Sequence, residues 1–179
     1  DNENMQLTNF DFIGLTAYAV GDNGTLLKSL DGGDHWEALP MLPSYAFYLA
    51  VDFVNPDTGI VAGGKGTGHI VMRTLDGGQT WDSLSIKTSE GTSDGSFLDV
   101  SFVDESTVYI TGRQGKVVSS TDYGDTWQEK TQIKIIGADL WESTALYFQN
   151  ADTGWIASNL LSAQAAYIHR TNDGGDSWN

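Results

Sequence analysis

An eight-residue box occurs four times in this chain, and nothing else in the sequence constrains the fold as tightly. The copies are Ser29–Trp36 (SLDGGDHW), Thr74–Trp81 (TLDGGQTW), Ser120–Trp127 (STDYGDTW) and Thr171–Trp178 (TNDGGDSW). All read S/T-x-D-x-G-x-x-W. The box aspartates stand at 31, 76, 122 and 173, at steps of 45, 46 and 51 residues. A period of this size signals a repeat architecture, in which each repeat is one small structural unit stacked on the next. The box itself reads as a structural turn. Asp31, Asp76, Asp122 and Asp173 can accept hydrogen bonds from backbone amides of their own turns. Gly33, Gly78, Gly124 and Gly175 allow a backbone angle that side chains resist. Trp36, Trp81, Trp127 and Trp178 offer large rings for burial. A calcium site at these aspartates would call for an alternating Asp/Asn ladder, which the box lacks.

The residues between boxes repeat a second pattern. Alternating runs ending in Phe come first: Phe10-Asp11-Phe12, Leu49 to Phe53, Leu98 to Phe102 and Ala145 to Phe148. Period-two alternation predicts a strand, here strand a. Polar turns such as Asn55-Pro56-Asp57-Thr58-Gly59 follow two of these runs, and Asp104 to Thr107 plays the part after a third. Strand b is expected at 17–20, 60–62, 108–111 and 155–157, and strand c at 25–28, 69–73, 116–119 and 166–170. Strand d opens at the motif Trp. The expected fold class is all-β: a β-propeller, or part of one, with four-stranded antiparallel blades and the boxes as c–d turns. The four blades are about 9–39, 46–87, 97–130 and 144–179, in one domain or fragment spanning 1–179. No helix is required; Ser158 to Tyr167 has helical composition and is expected as a loop insertion.

The fourth blade lacks its strand d in this sequence. Strands or blades from outside it would complete a ring of six to eight. Alternatively, Asn4 to Thr8 would pair as the missing outer strand and close a ring of four. The larger ring is the expectation.

These copies resemble the Asp-box, also called the BNR repeat, and the longer unit resembles the repeat of the Ycf48/Hcf136-like photosystem II assembly factors. It is also similar to repeats in secreted bacterial proteins. The resemblance covers nearly all of residues 10 to 178 and implies the propeller fold. Asp-boxes also occur in sialidases, family 74 xyloglucanases and sortilin-type receptors, so the resemblance leaves function open. In the Ycf48-like family an arginine-rich patch is associated with partner binding; this chain has only Arg73, Arg113 and Arg170.

Charge narrows the choice. Nine Lys plus Arg stand against 24 Asp plus Glu, for a formal net charge of −15. Nucleic-acid binding, which needs clustered cations, is therefore not expected. No apolar run approaches the ~18 residues that span a bilayer, so direct membrane insertion is not expected either. With no cysteine, disulfides and thiolate metal sites are excluded. His35, His69 and His169 are dispersed and do not suggest a metal centre. No cofactor is implied. A start without Met suggests a processed terminus, and the expected setting is a secreted or cell-surface bacterial protein.

In a propeller the a–b and c–d turns share one face, while the b–c turns and d–a connections share the other. The boxes mark the first face, so the second is where variable loops, and hence function, are expected. Gly21 to Gly24 and Gly112 to Gly115 are minimal b–c loops; Gly63 to Gly68 and Ser158 to Ala165 are longer. Tyr45, Phe47, Lys65, Arg113, Gln114 and Trp141 are the candidate contact residues for a protein or glycan partner. Packing between blades is the competing reading of the same side chains.

The expected function is a non-catalytic binding or scaffold module. A glycosidase fragment is the alternative, since Asp22, Glu90, Asp94, Asp139 and Glu142 could supply a carboxylate pair. A sialidase, which converges three arginines, fits worse, because Arg73 and Arg170 precede their boxes while Arg113 lies on a b–c loop. A photosystem II assembly factor is the third reading.

Overall fold

The structure, a computed structural model, describes residues 6–40, 43, 45–66, 68–88, 95–133, 141–160 and 164–179. Glu90, Asp94 and Asp139, Asn4 and Met5 of the proposed closing segment, and most of the 133–141 connection lie outside these residues.

Four antiparallel sheets follow one another along the chain. The first orders β1 (Leu7–Ile13), β2 (Thr16–Gly21), β3 (Leu26–Ser29) and β4 (Glu37–Ala38). The second orders β5 (Phe47–Phe53), β6 (Gly59–Lys65), β7 (Gly68–Thr74) and β8 (Asp82–Ser83). The third orders β9 (Phe97–Phe102), β10 (Val108–Gly112), β11 (Val117–Ser120) and β12 (Gln128–Glu129). The fourth has three strands, β13 (Trp141–Phe148), β14 (Gly154–Leu160) and β15 (Ala165–Thr171). Each sheet is one blade of a β-propeller, with its strands in chain order from a outwards. In the first three blades the outermost strand is two residues long and directly follows the box Trp.

Each box is one hydrogen-bonded unit. In the second, Thr74 Oγ1 donates to Asp76 Oδ1 (2.9 Å) and accepts from the Gly78 amide (2.8 Å). Asp76 then accepts from the Thr80 amide (2.9 Å) and hydroxyl (2.6 Å), and Trp81 Nε1 donates to Gly78 O (3.2 Å). The box glycines, with φ of 95°, 86°, 89° and 84°, take the left-handed backbone that the turn requires. Each box also clips to the a–b turn of its own blade. The amides of Gly32, Gly77, Tyr123 and Gly174 donate to carbonyls of Leu15, Asp57, Ser106 and Asp152. That fixes both turns on one face.

The core lies between blades, in three clusters. Tyr18, Val20, Tyr48 and Phe53 join blades one and two; Ile60, Ala62, Phe97 and Ile110 join two and three. Tyr109, Val117, Leu146 and Ile156 join three and four.

Three sequence expectations change. Gly63 to Lys65 is strand, since β6 and β7 pair out to Lys65 and Gly68. Likewise Ser158 to Leu160 lies in β14 and Ala165 to Tyr167 in β15, paired through Leu160 and Ala165. The apparent long loops are therefore hairpins that project further on the second face. Leu7 and Thr8, part of the proposed closing segment, belong to the innermost strand of the first blade, with Leu7 opposite Gly21. The outer edge of β15 meets the chain's own end instead, through paired bonds between Arg170 and Asn179 (2.9 and 3.0 Å).

Candidate functional site

The second face carries a strip of side chains crossing blades two, three and four. It begins at the tip of the β6–β7 hairpin, where Lys65 Nζ lies 3.7 Å from the Tyr45 ring centroid. Both are exposed, as is Phe47 at the start of β5, opposite Gly64. A cation over an aromatic face is held by the ring's quadrupole. Gly64 has no room for a side chain, because a Cβ there would lie 2.0 Å from Ser96 Oγ. Blade three is drawn against the hairpin at that point. The Ser96 carbonyl in turn accepts from the Arg113 amide (3.4 Å). Arg113 continues the strip, forming a lone backbone bridge with Glu142 and a 3.2 Å ion pair between Nη2 and Oε1.

Gln114 sits beside Arg113 in the left-handed backbone region (φ 60°), at a tight turn. Its carbonyl accepts from Gln132 Nε2 (2.8 Å). Trp141 opens β13 opposite Leu160 in the ladder. Tyr45, Lys65 and Phe47 thus gather at blade two, and Arg113 and Gln114 at the seam of blades three and four, with Gly64 and Ser96 between.

Sequence reasoning missed a second set, on the innermost strands. Asp11 Oδ2 accepts from the Phe53 amide (2.9 Å), Asp52 Oδ2 from the Phe102 amide (2.5 Å), and Asp99 Oδ2 from the Leu146 amide (2.7 Å). Adjacent inner strands do not share a sheet, so these carboxylates supply the missing bond from blade to blade. Burial raises all three pKa values: Asp52 to about 7, with Asp11 and Asp99 adding like-charge repulsion, and Asp99 to about 6. The box aspartates are the opposite case. Bonds from the amide and ring of His35 hold Asp31 well below the usual carboxylate range, and bonds from Thr80, Thr126 and Ser177 bring Asp76, Asp122 and Asp173 to about 2. The signal for the inner set was a single Asp among large apolar residues in each of three strand-a runs.

Among the described residues no group of three or more His, Asp or Glu is placed to hold a metal ion, and no helix is long and apolar enough to cross a membrane. His69 Nε2 lies 3.2 Å from Ile86 O and the ring packs on Phe97; His169 lies beside Tyr167. Of the carboxylates proposed for glycoside hydrolysis, Glu142 is engaged by Arg113.

Blades of this kind, each turned from its third to its outer strand by an Asp-box, define an Asp-box β-propeller. Residues 89–179 match the family model described as photosynthesis system II assembly factor YCF48, and the chain belongs to that family. It is 39% identical over 51 residues to the photosystem II assembly protein Ycf48 of Synechococcus sp. (strain JA-3-3Ab), a match covering 28% of this chain and 15% of that protein. Its fold is similar to a solved YCF48 bound to D1 peptide, with TM-score 0.59 and 16% identity over 98% of this chain and 80% of that one. An ancestral GH74 enzyme is also similar, with TM-score 0.56 and 18% identity over 91% of this chain and 25% of that one.

Proposed function

We propose that this chain is a non-catalytic propeller that binds an extended segment of a protein partner across its second face. The observation that carries the reading is the strip from Tyr45, Phe47 and Lys65 through Ser96 to Arg113. It joins exposed aromatic area to two cationic side chains on an otherwise acidic molecule. Aromatic and Arg side chains are the usual anchors of protein recognition. The YCF48 solved with D1 peptide is a relative of the same fold that holds a peptide, and this supports a peptide over a glycan as the occupant. Family membership supports a role in assembling a larger complex. With nine Lys plus Arg in all, contact would centre on a few cations. We place the protein outside the cell or at the surface of a bacterium.

Of the carboxylates the glycosidase reading names, Glu142 is paired with Arg113. The buried inner-strand carboxylates Asp52 and Asp99 are engaged by backbone amides of neighbouring blades. A glycosidase needs two available carboxyl groups about 5–10 Å apart astride a sugar.

A random 12-residue peptide library displayed on phage tests the proposal. Selected peptides should bind the protein, and Phe47→Ala combined with Lys65→Ala and Arg113→Ala should weaken them at least about tenfold, or about 1.4 kcal/mol. Binding untouched by the triple substitution, or hydrolysis of a xyloglucan oligosaccharide by the protein, would sink it.

A further inference from the structure

The face opposite the candidate strip carries the four boxes and the a–b turns clipped to them. There the third box departs from a rule that the other three keep. Its fourth position is Tyr123, where the others have Gly32, Gly77 and Gly174. All four residues take the left-handed backbone, with φ of 79°, 69° and 66° at the glycines and 61° at the tyrosine. Glycine adopts that conformation freely, whereas in other residues Cβ crowds the carbonyl oxygen that follows.

The turn uses only the main chain of this position. The Gly77 amide donates to Asp57 O (2.9 Å), and the Gly77 carbonyl accepts from Lys28 Nζ of the preceding blade (2.9 Å). Likewise the Tyr123 amide donates to Ser106 O (3.0 Å), and its carbonyl accepts from Arg73 Nη1 of the preceding blade (2.8 Å). Glycine would serve both bonds equally. The tyrosine is nonetheless kept, with 44% of it exposed. A strained residue whose side chain the turn does not require points to a use outside the turn.

Arg73 brings a second apolar side chain to the same place. It immediately precedes the second box, so Leu75, two residues on, stands at the seam of blades two and three and is 54% exposed. In blade one Leu30 holds the same box position and is exposed too, as is Leu15 in the a–b turn clipped to that box. Blades three and four have Thr121 and Asn172 there instead.

The surroundings are acidic. Segments 54–58, 74–81, 103–107 and 120–127 form this face of blades two and three, and they contain no Lys or Arg. Asp57, Asp104, Glu105 and Asp125 on them are exposed. The side chain of Arg73 is only 12% exposed and is turned onto Tyr123 O and Asp125 Oδ1 (2.6 Å). Exposed apolar side chains with a polar rim mark an interaction site. A rim of one sign selects a partner of the other. Both blades of this seam already have their neighbours, and further repeats stack beside existing blades rather than over this face.

We propose that the box face at the seam of blades two and three docks a Lys- and Arg-rich segment of a partner protein. Large apolar residues of that segment sit on Tyr123 and Leu75, and its cations lie against Asp57, Asp104, Glu105 and Asp125. This surface is separate from the second-face strip and independent of what binds there.

A fluorescein-labelled peptide of Leu and Lys tests the proposal by anisotropy, with the same peptide carrying Glu at every Lys position as its control. The Lys peptide should bind and the Glu peptide should not. Tyr123→Gly combined with Leu75→Ser should weaken binding at least about tenfold. Tyr123→Gly alone should leave the thermal midpoint unchanged or raise it, because glycine relieves the left-handed position. Weaker binding by that variant then cannot come from a loss of fold. Binding of the Lys peptide that survives the double substitution, equal binding of the Glu peptide, or no binding of either would each overturn the proposal. So would a Tyr123→Gly protein that melts well below the wild type, since the ring would then serve the fold.

Discussion

Asp52 shows how one side chain can bind two blades together at a cost set by pH. Its carboxylate accepts the Phe102 amide, yet burial and the charges of Asp11 and Asp99 raise its pKa from 3.8 to about 7. The sign follows from linkage. Below about pH 4 the group is protonated both folded and unfolded, so its favourable share of stability is fully present. As pH rises towards 7 the unfolded chain has released the proton while the folded one retains it, and that share is lost. Asn keeps an oxygen for the Phe102 amide and cannot ionise. Asp52→Asn is therefore expected to be stabilising by about 1–2 kcal/mol at pH 8 and near neutral at pH 4. Urea midpoints at pH 4, 6 and 8 measure this; a difference that does not change with pH would show that the charge is not what matters. Asp99 should add a similar slope in the wild-type protein, because burial raises it to about 6.

At the scale of strands and turns, the box and its period are enough to place the strands of each blade in order without a structure, because the box chemistry is local. The bonds from Asp76, Thr74 and Trp81 reach no further than four residues along the chain. S/T, Asp, Gly and Trp at fixed spacing therefore already contain it. Strand ends were harder. Gly63 and Gly64 look like loop residues by propensity, but the approach of Phe47 and Ser96 leaves no room for a side chain there, and pairing overrides the preference. Ser158 to Tyr167 has helix-forming composition and is mostly strand because β14 and β15 pair through it. The candidate strip was legible as residues on one face. Its continuity through Ser96 was not, nor was the inner aspartate set, since both depend on which side chains meet across blades. Tyr18 is the test at this scale. Tyr18→Phe keeps the stack on Phe53 and removes the hydroxyl bonds to Pro56 O and Gly77 O. It should cost about 1–2 kcal/mol, as expected for buried acceptors losing a donor, and thermal unfolding measures it.

Across the whole molecule, stability should be uneven in a way the blade order dictates. In a stacked repeat each unit draws support from its own bonds and from its immediate neighbours. Blades two and three have a neighbour on both sides; blades one and four each leave one face open. Along strand b this is visible as burial of β6 and β10 at nearly every residue, against the alternation of β14. Outer strands β4, β8 and β12 are exposed two-residue pieces. Amide exchange should therefore be slowest in β6 and β10, faster in β1 and β15, and fastest at β4, β8 and β12, since protection follows the local opening free energy.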